Sequence, residues 1–177
     1  GDHNVQNALA VIAIAQELSL EDAVIHKAFS GFSGVKRRFT KTGEGAGITV
    51  IDDYAHHPVE IKTVLAAARQ ATTGRIVAVV QPHRYSRLHH FLHDFATCLD
   101  GADEIIIAPV YGAGETPIED ATSSKLIEAI KELTGIQAHE LLRSEDLAQL
   151  AHSLLKGGPK KGDMILCLGA GNITQWA

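Results

Sequence analysis

Short apolar runs alternate with amphipathic segments along most of the chain, and this alternation restricts the fold more than any other feature. Three runs, Ile76–Val80, Glu104–Ala108 and Met164–Leu168, have the length and composition of strands that are buried on both faces. The segments between them carry apolar residues at helical spacing. We therefore predict an α/β fold, a Rossmann-like and mostly parallel sheet with helices on both faces.

The first part of the chain has a different pattern. Asn4–Leu18 and Leu20–Phe29 predict a short helical pair, which ends at the glycine-spaced linker Gly31-Phe-Ser-Gly34. We place a domain boundary there, with residues 1–33 as one segment and residues 34–177 as the α/β domain. Beyond the boundary, a strand pair and a helix are further predictions: Arg37–Thr42 with Ile48–Asp53, and Leu88–Leu99.

Composition excludes several classes of protein. The 177 residues carry 16 Lys and Arg against 21 Asp and Glu, a net charge of −5, which gives no general footprint for nucleic acid or anionic lipid. No apolar run approaches the ~18 residues of a membrane span. Cys98 and Cys167 fall in separate apolar segments, as reduced, buried thiols of a cytoplasmic protein do. Because the chain opens with Gly1 and not Met, we expect it to begin inside a longer protein.

Polar and glycine-rich segments follow the predicted strands. In a parallel sheet these segments meet beyond the carboxyl ends of the strands, where ligands bind. A purely structural alternative exists for the first of them, because its Asp and His residues can cap a helix that begins at Pro58. The segments are Asp52-Asp-Tyr-Ala-His-His57, Gln81-Pro-His-Arg-Tyr-Ser-Arg87, Pro109-Val-Tyr-Gly-Ala-Gly-Glu115 and Gly169-Ala-Gly-Asn172.

Two arginines have an unusual predicted position. Ser86 is expected to cap a helix beginning at Arg87, which places Arg84 and Arg87 at the positive end of its dipole. Cations are disfavoured there by ~0.3–1 kcal/mol. A bound anion would resolve the mismatch, because it would meet two guanidinium groups and free backbone N–H groups together. The alternative is an acidic side chain from a neighbouring loop.

The histidines and the last glycine motif suggest weaker alternatives. A His-Asp metal site at His56-His57, or a His-rich metallohydrolase using His89 and His93, lacks a recognised ligand pattern, so we predict no metal site. Gly169-Ala-Gly-Asn172 contains half of a dinucleotide fingerprint. A stand-alone nucleotide-binding module therefore stays open as an alternative.

Taken together, the motifs resemble the Mur ligases, the amino-acid-adding enzymes of bacterial peptidoglycan synthesis. The resemblance covers essentially the whole chain, and it is strongest for the member that adds L-alanine first. Another member, which recycles a murein tripeptide, shares the Asp-Asp-aromatic-Ala-His-His-Pro segment and is the alternative within the family. The segments that carry the resemblance are His3-Asn-Val-Gln-Asn7-Ala-Leu-Ala, Arg37-Arg-Phe39, Asp52-Asp-Tyr-Ala-His-His-Pro58, Gln81-Pro-His-Arg-Tyr-Ser-Arg87 and Gly169-Ala-Gly-Asn172.

The resemblance implies an ATP-dependent ligase that joins L-alanine to the carboxyl of UDP-N-acetylmuramate through an acyl phosphate. Such enzymes have a UDP-sugar domain, a central ATPase domain with a P-loop, and a Rossmann-like C-terminal domain. This chain has no Gly-x-x-x-x-Gly-Lys-Ser/Thr sequence. It therefore resembles the C-terminal domain with the last two helices of the central one, expected to be inactive alone. ATP and Mg²⁺ would serve the full-length enzyme, with neither bound tightly by this part.

The resemblance also implies roles for individual residues. Asn4 and Asn7 would belong to the ATP side, and Arg38 would reach the nucleotide phosphates. Asp53 would hold the ATP ribose or orient that region. The residues expected around L-alanine and the reacting carboxyl are Tyr54, His56, Arg84 and Arg87, and the catalytic set is Arg38, His56, Arg84 and Arg87.

Overall fold

The chain forms two compact units, residues 1–35 and residues 36–177. The computed structural model describes residues 2–177, with side chains from Asn4 onward. The first unit contains the predicted helical pair, α1 (Asp2–Glu17) and α2 (Asp22–Ser30). The linker after α2 is exposed throughout 31–35 and has no helix or strand. Within residues 2–177, none of the helices has the length and apolar character needed to cross a bilayer.

The second unit is built on one six-stranded sheet. The strand order is β1-β2-β6-β3-β4-β5, with β1 antiparallel to β2 and the other neighbours parallel. This confirms the predicted fold class, a mostly parallel α/β sheet. The strands are β1 (Thr40–Gly45), β2 (Ile48–Asp53), β3 (Ile76–Val80), β4 (Glu104–Ile107), β5 (Ala138–Glu140) and β6 (Asp163–Leu168).

Helices cover both faces of this sheet. Strand β3 is fully buried and shows the division clearly: Ala78 and Val80 pack with the helices of one face, Val77 and Val79 with the other. Four helices between residues 58 and 134 supply core side chains to the first face, and the helix at residues 147–154 supplies the second. The helices are α3 (Pro58–Ala71), α4 (Tyr85–His90), α5 (Leu92–Thr97), α6 (Ser123–Thr134) and α7 (Leu147–Leu154).

Two predicted elements have different bounds in the structure. The first strand begins at Thr40 and not at Arg37, because Arg37 (φ 60°) and Phe39 (φ 51°) have left-handed backbone that a strand cannot contain. The predicted helix Leu88–Leu99 was wrong in both extent and continuity. It starts earlier, as α4, and is interrupted at Phe91 (φ −115°, ψ 25°), whose ring packs 4.8 Å from that of His57.

The register brings four strand ends into one row. Asp53 pairs with Leu168, Leu168 with Val80, and Val80 with Ile107. The segments that follow these strands therefore emerge side by side. We call them the strand-end rim, defined as residues 54–57, 81–87, 108–115 and 169–172.

Candidate active site

Asp53 ends β2 directly beneath the strand-end rim. Asp53 is only 3% exposed. Its two carboxylate oxygens accept hydrogen bonds from the backbone N–H groups of Phe39 (2.7 Å) and Ala55 (2.8 Å). Burial raises the pKa of Asp53 above its usual value, because desolvation outweighs these two bonds. The two bonds fit the orienting role predicted for Asp53, and its contact with the ATP ribose stays a prediction.

The turn after β2 has the predicted helix start. Pro58 is the first residue of α3, and Glu60 accepts from the backbone N–H groups of His56 (3.1 Å) and His57 (3.2 Å). Tyr54 and His56 share one side, with their ring centroids 5.2 Å apart, whereas His57 turns toward α4 and α5. His57 and Glu60 therefore serve the start of α3, as the structural alternative for this segment proposed. Tyr54 and His56 remain candidates for binding a ligand on the rim.

Four aromatic rings form a continuous row along the rim. The centroid distances are 5.2 Å from Tyr54 to His56, 5.6 Å from His56 to His83, and 5.4 Å from His83 to Tyr111. Burial, followed by electrostatic interaction with His56 and Arg87, lowers the pKa of His83. Sequence reasoning did not select His83 or Tyr111. Both could have been selected from the sequence, because they lie in the polar segments that follow β3 and β4. These segments face the turn that contains His56.

Arg84 and Arg87 do not have the predicted arrangement. Arg84 itself precedes α4, with φ 74° and ψ 131°, so Ser86 lies inside the helix and does not cap it. Glu115 accepts from the backbone N–H (3.0 Å) and hydroxyl (2.7 Å) of Ser86, and one of its oxygens lies 3.4 Å from Nη1 of Arg84. Of the two options, the acidic side chain from a neighbouring loop is therefore the one present.

Arg87 is the third of the six residues of α4, so it lies in both the first and the last turn of this short helix. Its Nη1 donates to the backbone carbonyl of His83 (3.0 Å) and lies 3.3 Å from Nδ1 of the same histidine. The structure thus brings His56, His83 and Arg87 into one cluster, with Arg84 at its edge beside Glu115.

The two arginines after the linker have different environments. Arg37 donates through Nη2 to the carbonyls of Gly169 (2.5 Å) and Gly171 (3.2 Å), and its guanidinium lies 4.7 Å from the centroid of the Tyr54 ring. Arg38 is exposed, and its guanidinium lies 5.8 Å from the same ring. Arg37 is therefore held by the fold, and Arg38 is the arginine that is free to reach a ligand.

The glycine motif after β6 is filled by this chain's own side chains. Nε2 of Gln81 donates to Oδ1 of Asn172 (2.8 Å), and Oε1 of Gln81 accepts from the backbone N–H of Ile173 (3.2 Å). A Cβ on Gly171 would lie 2.5 Å from Oε1 of Gln81 and 2.7 Å from Cγ of Tyr111. Glycine is needed at this position because side chains of the chain itself pack against its backbone. In a dinucleotide fingerprint, by contrast, glycine lets a pyrophosphate approach the backbone.

The remaining predicted residues lie on the first unit or in the core of the second. Asn4 and Asn7 are exposed on α1, three residues apart and so on one face of the helix. Cys98 and Cys167 are buried and free, and burial raises the pKa of each thiol to about 12. Within the part of the chain whose side chains are described, no three His, Cys, Asp or Glu residues gather as a metal site would require.

An apolar groove of about 360 Å³ lies on the α7 face of the sheet. It is lined by residues such as Val50, Leu147, Ile165 and Trp176, and no residue of the strand-end rim borders it. The lining of the groove is mainly apolar, whereas the rim combines arginines, histidines and tyrosines. The rim is therefore the candidate active site.

Comparison with known proteins identifies the family. The family model described as the Mur ligase, glutamate ligase domain matches residues 37–171. The chain belongs to the Mur ligase family. This match begins at Arg37 and ends at Gly171, so it includes all four segments of the strand-end rim except the final Asn172.

Individual Mur ligases are similar over the whole chain. The UDP-N-acetylmuramate–L-alanine ligase of Methylobacterium nodulans is 55% identical over 177 residues, which are 100% of this chain and 37% of that protein. The crystal structure of the Thermotoga maritima UDP-N-acetylmuramate–alanine ligase has a TM-score of 0.77 at 32% identity, covering 99% of this chain and 36% of that one. A murein peptide ligase from Psychrobacter arcticus has a TM-score of 0.68 at 26% identity, covering 99% and 35%. The chain thus spans little more than a third of these relatives.

Proposed function

We propose that this chain is the C-terminal, amino-acid-binding domain of an ATP-dependent ligase that joins L-alanine to the carboxyl of UDP-N-acetylmuramate. The observation that carries the proposal is the 55% identity, over the whole chain, to a UDP-N-acetylmuramate–L-alanine ligase. Among solved structures, the identity is 32% to a UDP-N-acetylmuramate–alanine ligase and 26% to a murein peptide ligase. The product would enter peptidoglycan synthesis in the cytoplasm. In the same proposal, residues 1–33 are the last two helices of the central ATPase domain.

The exposed groups on the rim support the assignment of roles. Arg38 is exposed, so it is available for the phosphates of ATP, with Asn4 and Asn7 on the ATP side. Tyr54 and His56 lie on the solvent side of a turn that buried Asp53 orients. Arg84 and Arg87, from the segment after β3, would complete the surroundings of L-alanine and the reacting carboxyl.

The chemistry requires alignment more than a protein nucleophile. The carboxylate of UDP-N-acetylmuramate attacks the γ-phosphate of ATP and displaces ADP, which gives an acyl phosphate. The alanine amine attacks the acyl carbon and loses a proton, and phosphate leaves from the tetrahedral intermediate as the amide forms. Alignment of reacting groups can contribute ~7–11 kcal/mol. A charge-assisted hydrogen bond contributes about 1.5–3 kcal/mol, so each arginine of the rim supports a larger positioning effect. Mg²⁺ would accompany ATP, and we assign it no ligand from this chain.

A hybrid ligase tests the proposal. In it, this chain replaces the matching segment of the Methylobacterium nodulans ligase, and ATP-dependent incorporation of radiolabelled L-alanine into UDP-N-acetylmuramate is measured. We expect incorporation by the hybrid and none by the 177-residue chain alone. Use of a murein tripeptide in place of L-alanine would support the recycling ligase, and tight binding of ATP or NAD by the chain alone would support a stand-alone nucleotide-binding module.

A pair of neighbouring substitutions provides the internal comparison. Arg38→Ala removes the exposed guanidinium proposed to contact phosphate. We expect at least a tenfold loss of turnover in the hybrid, because a charged hydrogen bond contributes about 1.5–3 kcal/mol and a tenfold rate change corresponds to ~1.4 kcal/mol. Lys36→Ala removes an exposed positive charge two residues away and should leave turnover unchanged. Equal rates for the two variants would contradict the role of Arg38.

A further inference from the structure

Glu115 is the acidic group of the rim that the family resemblance did not select. It lies in the middle of the loop between β4 and α6, and its carboxylate is fixed by two bonds to a single residue, the backbone N–H (3.0 Å) and hydroxyl (2.7 Å) of Ser86. These bonds lower the pKa of Glu115, so the group is ionised at neutral pH. The carboxylate of Glu115 is thus a fixed negative charge beside the first turn of α4, and its side chain is 23% exposed.

The loop that carries Glu115 is itself packed against α4. The backbone carbonyl of Tyr111 accepts from the N–H of Arg84 (2.8 Å), and the N–H of Tyr111 donates to the carbonyl of Pro82 (2.8 Å). Gly112 lies so close to α4 that a Cβ would be 2.8 Å from Cε2 of Tyr85. The loop after β4 therefore holds the segment 82–86 at its backbone as well as through Glu115.

Arg84 is the residue on which these contacts converge. Its backbone is bound by Tyr111, and its Nη1 lies 3.4 Å from Oε1 of Glu115. Half of the Arg84 side chain is exposed, and a guanidinium has five N–H donors in a fixed fork. One corner of the fork can therefore be fixed by Glu115 while the remaining donors face outward, where a ligand carboxylate would be bound.

We propose that Glu115 is a positioning residue that orients the guanidinium of Arg84 toward the carboxylate of the incoming amino acid. Glu115 stays with Ser86 and does not contact the substrate. Its charge limits the rotamers of Arg84, which lowers the entropy lost when the amino acid binds. This inference rests on the proposed function, because it assumes that Arg84 binds the amino-acid substrate.

The test separates charge from shape. Glu115→Gln keeps the size of the side chain and an oxygen that can accept from Ser86, but it removes the negative charge. In the hybrid ligase we expect this variant to raise KM for L-alanine about three- to tenfold while kcat changes less than twofold. Glu119→Gln makes the same charge change at an exposed position four residues away and should leave both constants unchanged. Glu115→Asp should recover part of the lost affinity.

Two kinetic results would overturn the inference. Equal KM values for Glu115→Gln and Glu119→Gln would show that Glu115 does not act on Arg84. A lower KM for Glu115→Gln would show that Glu115 competes with the substrate for the guanidinium.

A readout without catalysis keeps this outcome separate from failure of the proposed function. In the 177-residue chain, Glu115→Ala should accelerate hydrogen exchange of the Ser86 amide, whereas Glu119→Ala should not. Unchanged Ser86 exchange would remove the contact on which the inference depends. If exchange responds as expected but the hybrid uses no L-alanine, the proposed function fails and the anchoring of Glu115 stands.

Discussion

At the scale of single residues, Arg84 combines backbone strain with a proposed role in binding. Its φ of 74° and ψ of 131° lie outside the regions that residues with a Cβ favour, and such conformations cost about 1–3 kcal/mol. The strain is maintained by contacts from another strand end, since the carbonyl of Tyr111 binds its N–H. Strain at a residue proposed to bind substrate is consistent with a conformation kept for function and not for stability.

Comparing two truncations of Arg84 measures this strain. Both Arg84→Gly and Arg84→Ala remove the guanidinium, but only glycine adopts a positive φ without a steric penalty. We expect Arg84→Gly to be more stable than Arg84→Ala by about 1 kcal/mol, after the entropy cost of glycine is subtracted. Urea unfolding of the 177-residue chain gives this difference from the two midpoints. An alanine variant as stable as the glycine variant would show that the backbone there is not strained.

The same residues show where sequence reasoning reaches its limit. His56 and Arg84 could be selected because each lies in a polar segment that directly follows an apolar strand. Glu115 and His83 gain their roles from contacts across the rim, and the Arg84–Glu115 pair joins residues 31 positions apart. A dipole argument confined to one helix therefore chose a bound anion, although the loop after β4 supplies the negative charge.

At the scale of elements, strand β6 begins with a buried ion pair. Asp163 is 2% exposed and accepts from the backbone N–H (3.1 Å), Nε (3.2 Å) and Nη2 (2.6 Å) of Arg75, and from the backbone N–H of Lys160 (2.7 Å). The hydrogen bond from Arg75 is the main reason that the pKa of Asp163 is lowered from 3.8 to about 2. This pair fixes the start of β6 to the start of β3.

The depressed pKa predicts how stability depends on acid. Between pH 4 and pH 2 the unfolded state binds a proton at Asp163 and the folded state does not, so stability falls as the pH falls. The contribution present above pH 4 and lost toward pH 2 is about 2 kcal/mol. It should be absent from Asp163→Asn, as urea unfolding at several pH values would show. Glu119→Gln changes an exposed carboxylate and should retain the wild-type acid profile, and an acid profile of Asp163→Asn identical to wild type would contradict the assignment.

The bounds of a helix could be predicted where they depend on residues that are close in sequence. The start of α3 was predicted from Pro58 and Glu60, both of which act within one turn of the chain. The division between α4 and α5 at Phe91 was not predictable from periodicity, because apolar residues continue on the same face through the break. Phe91 leaves helical geometry where its ring meets His57, a contact that depends on the packing of α3.

At the scale of the whole molecule, the order of the strands is the property that could not be predicted from the sequence. Alternating strands and helices predicted a parallel sheet with both faces covered, and this is confirmed. The same alternation does not specify that β6, last in the chain, lies between β2 and β3. That position decides the site, since it inserts the Gly169–Asn172 turn between the turns that carry His56 and His83. The chemistry of the rim is thus assembled by pairings between distant segments.

The central position of β6 has a consequence for folding. Strands β3 and β4 pair residues 27 positions apart, as in Val77 with Glu104, whereas β6 pairs with β2 across 115 positions, as in Ile48 with Asp163. Closing a longer loop costs more entropy before any contact compensates for it, so non-local pairs form later. We predict that β3–β4 pairing precedes the insertion of β6.

Pulse-labelled hydrogen exchange during refolding of the 177-residue chain tests this order with three amides. The Ala108 amide, which donates to Val80, reports on β3–β4 pairing, and the Gln81 and Gly169 amides, which donate to Leu168 and Asp53, report on the two sides of β6. We expect Ala108 to be protected first, and Gln81 and Gly169 to follow together, because one strand insertion completes both ladders. Protection of Gln81 and Gly169 as early as Ala108 would contradict late insertion. Since the rim exists only once β6 is in place, its binding residues would be gathered in the final step of folding.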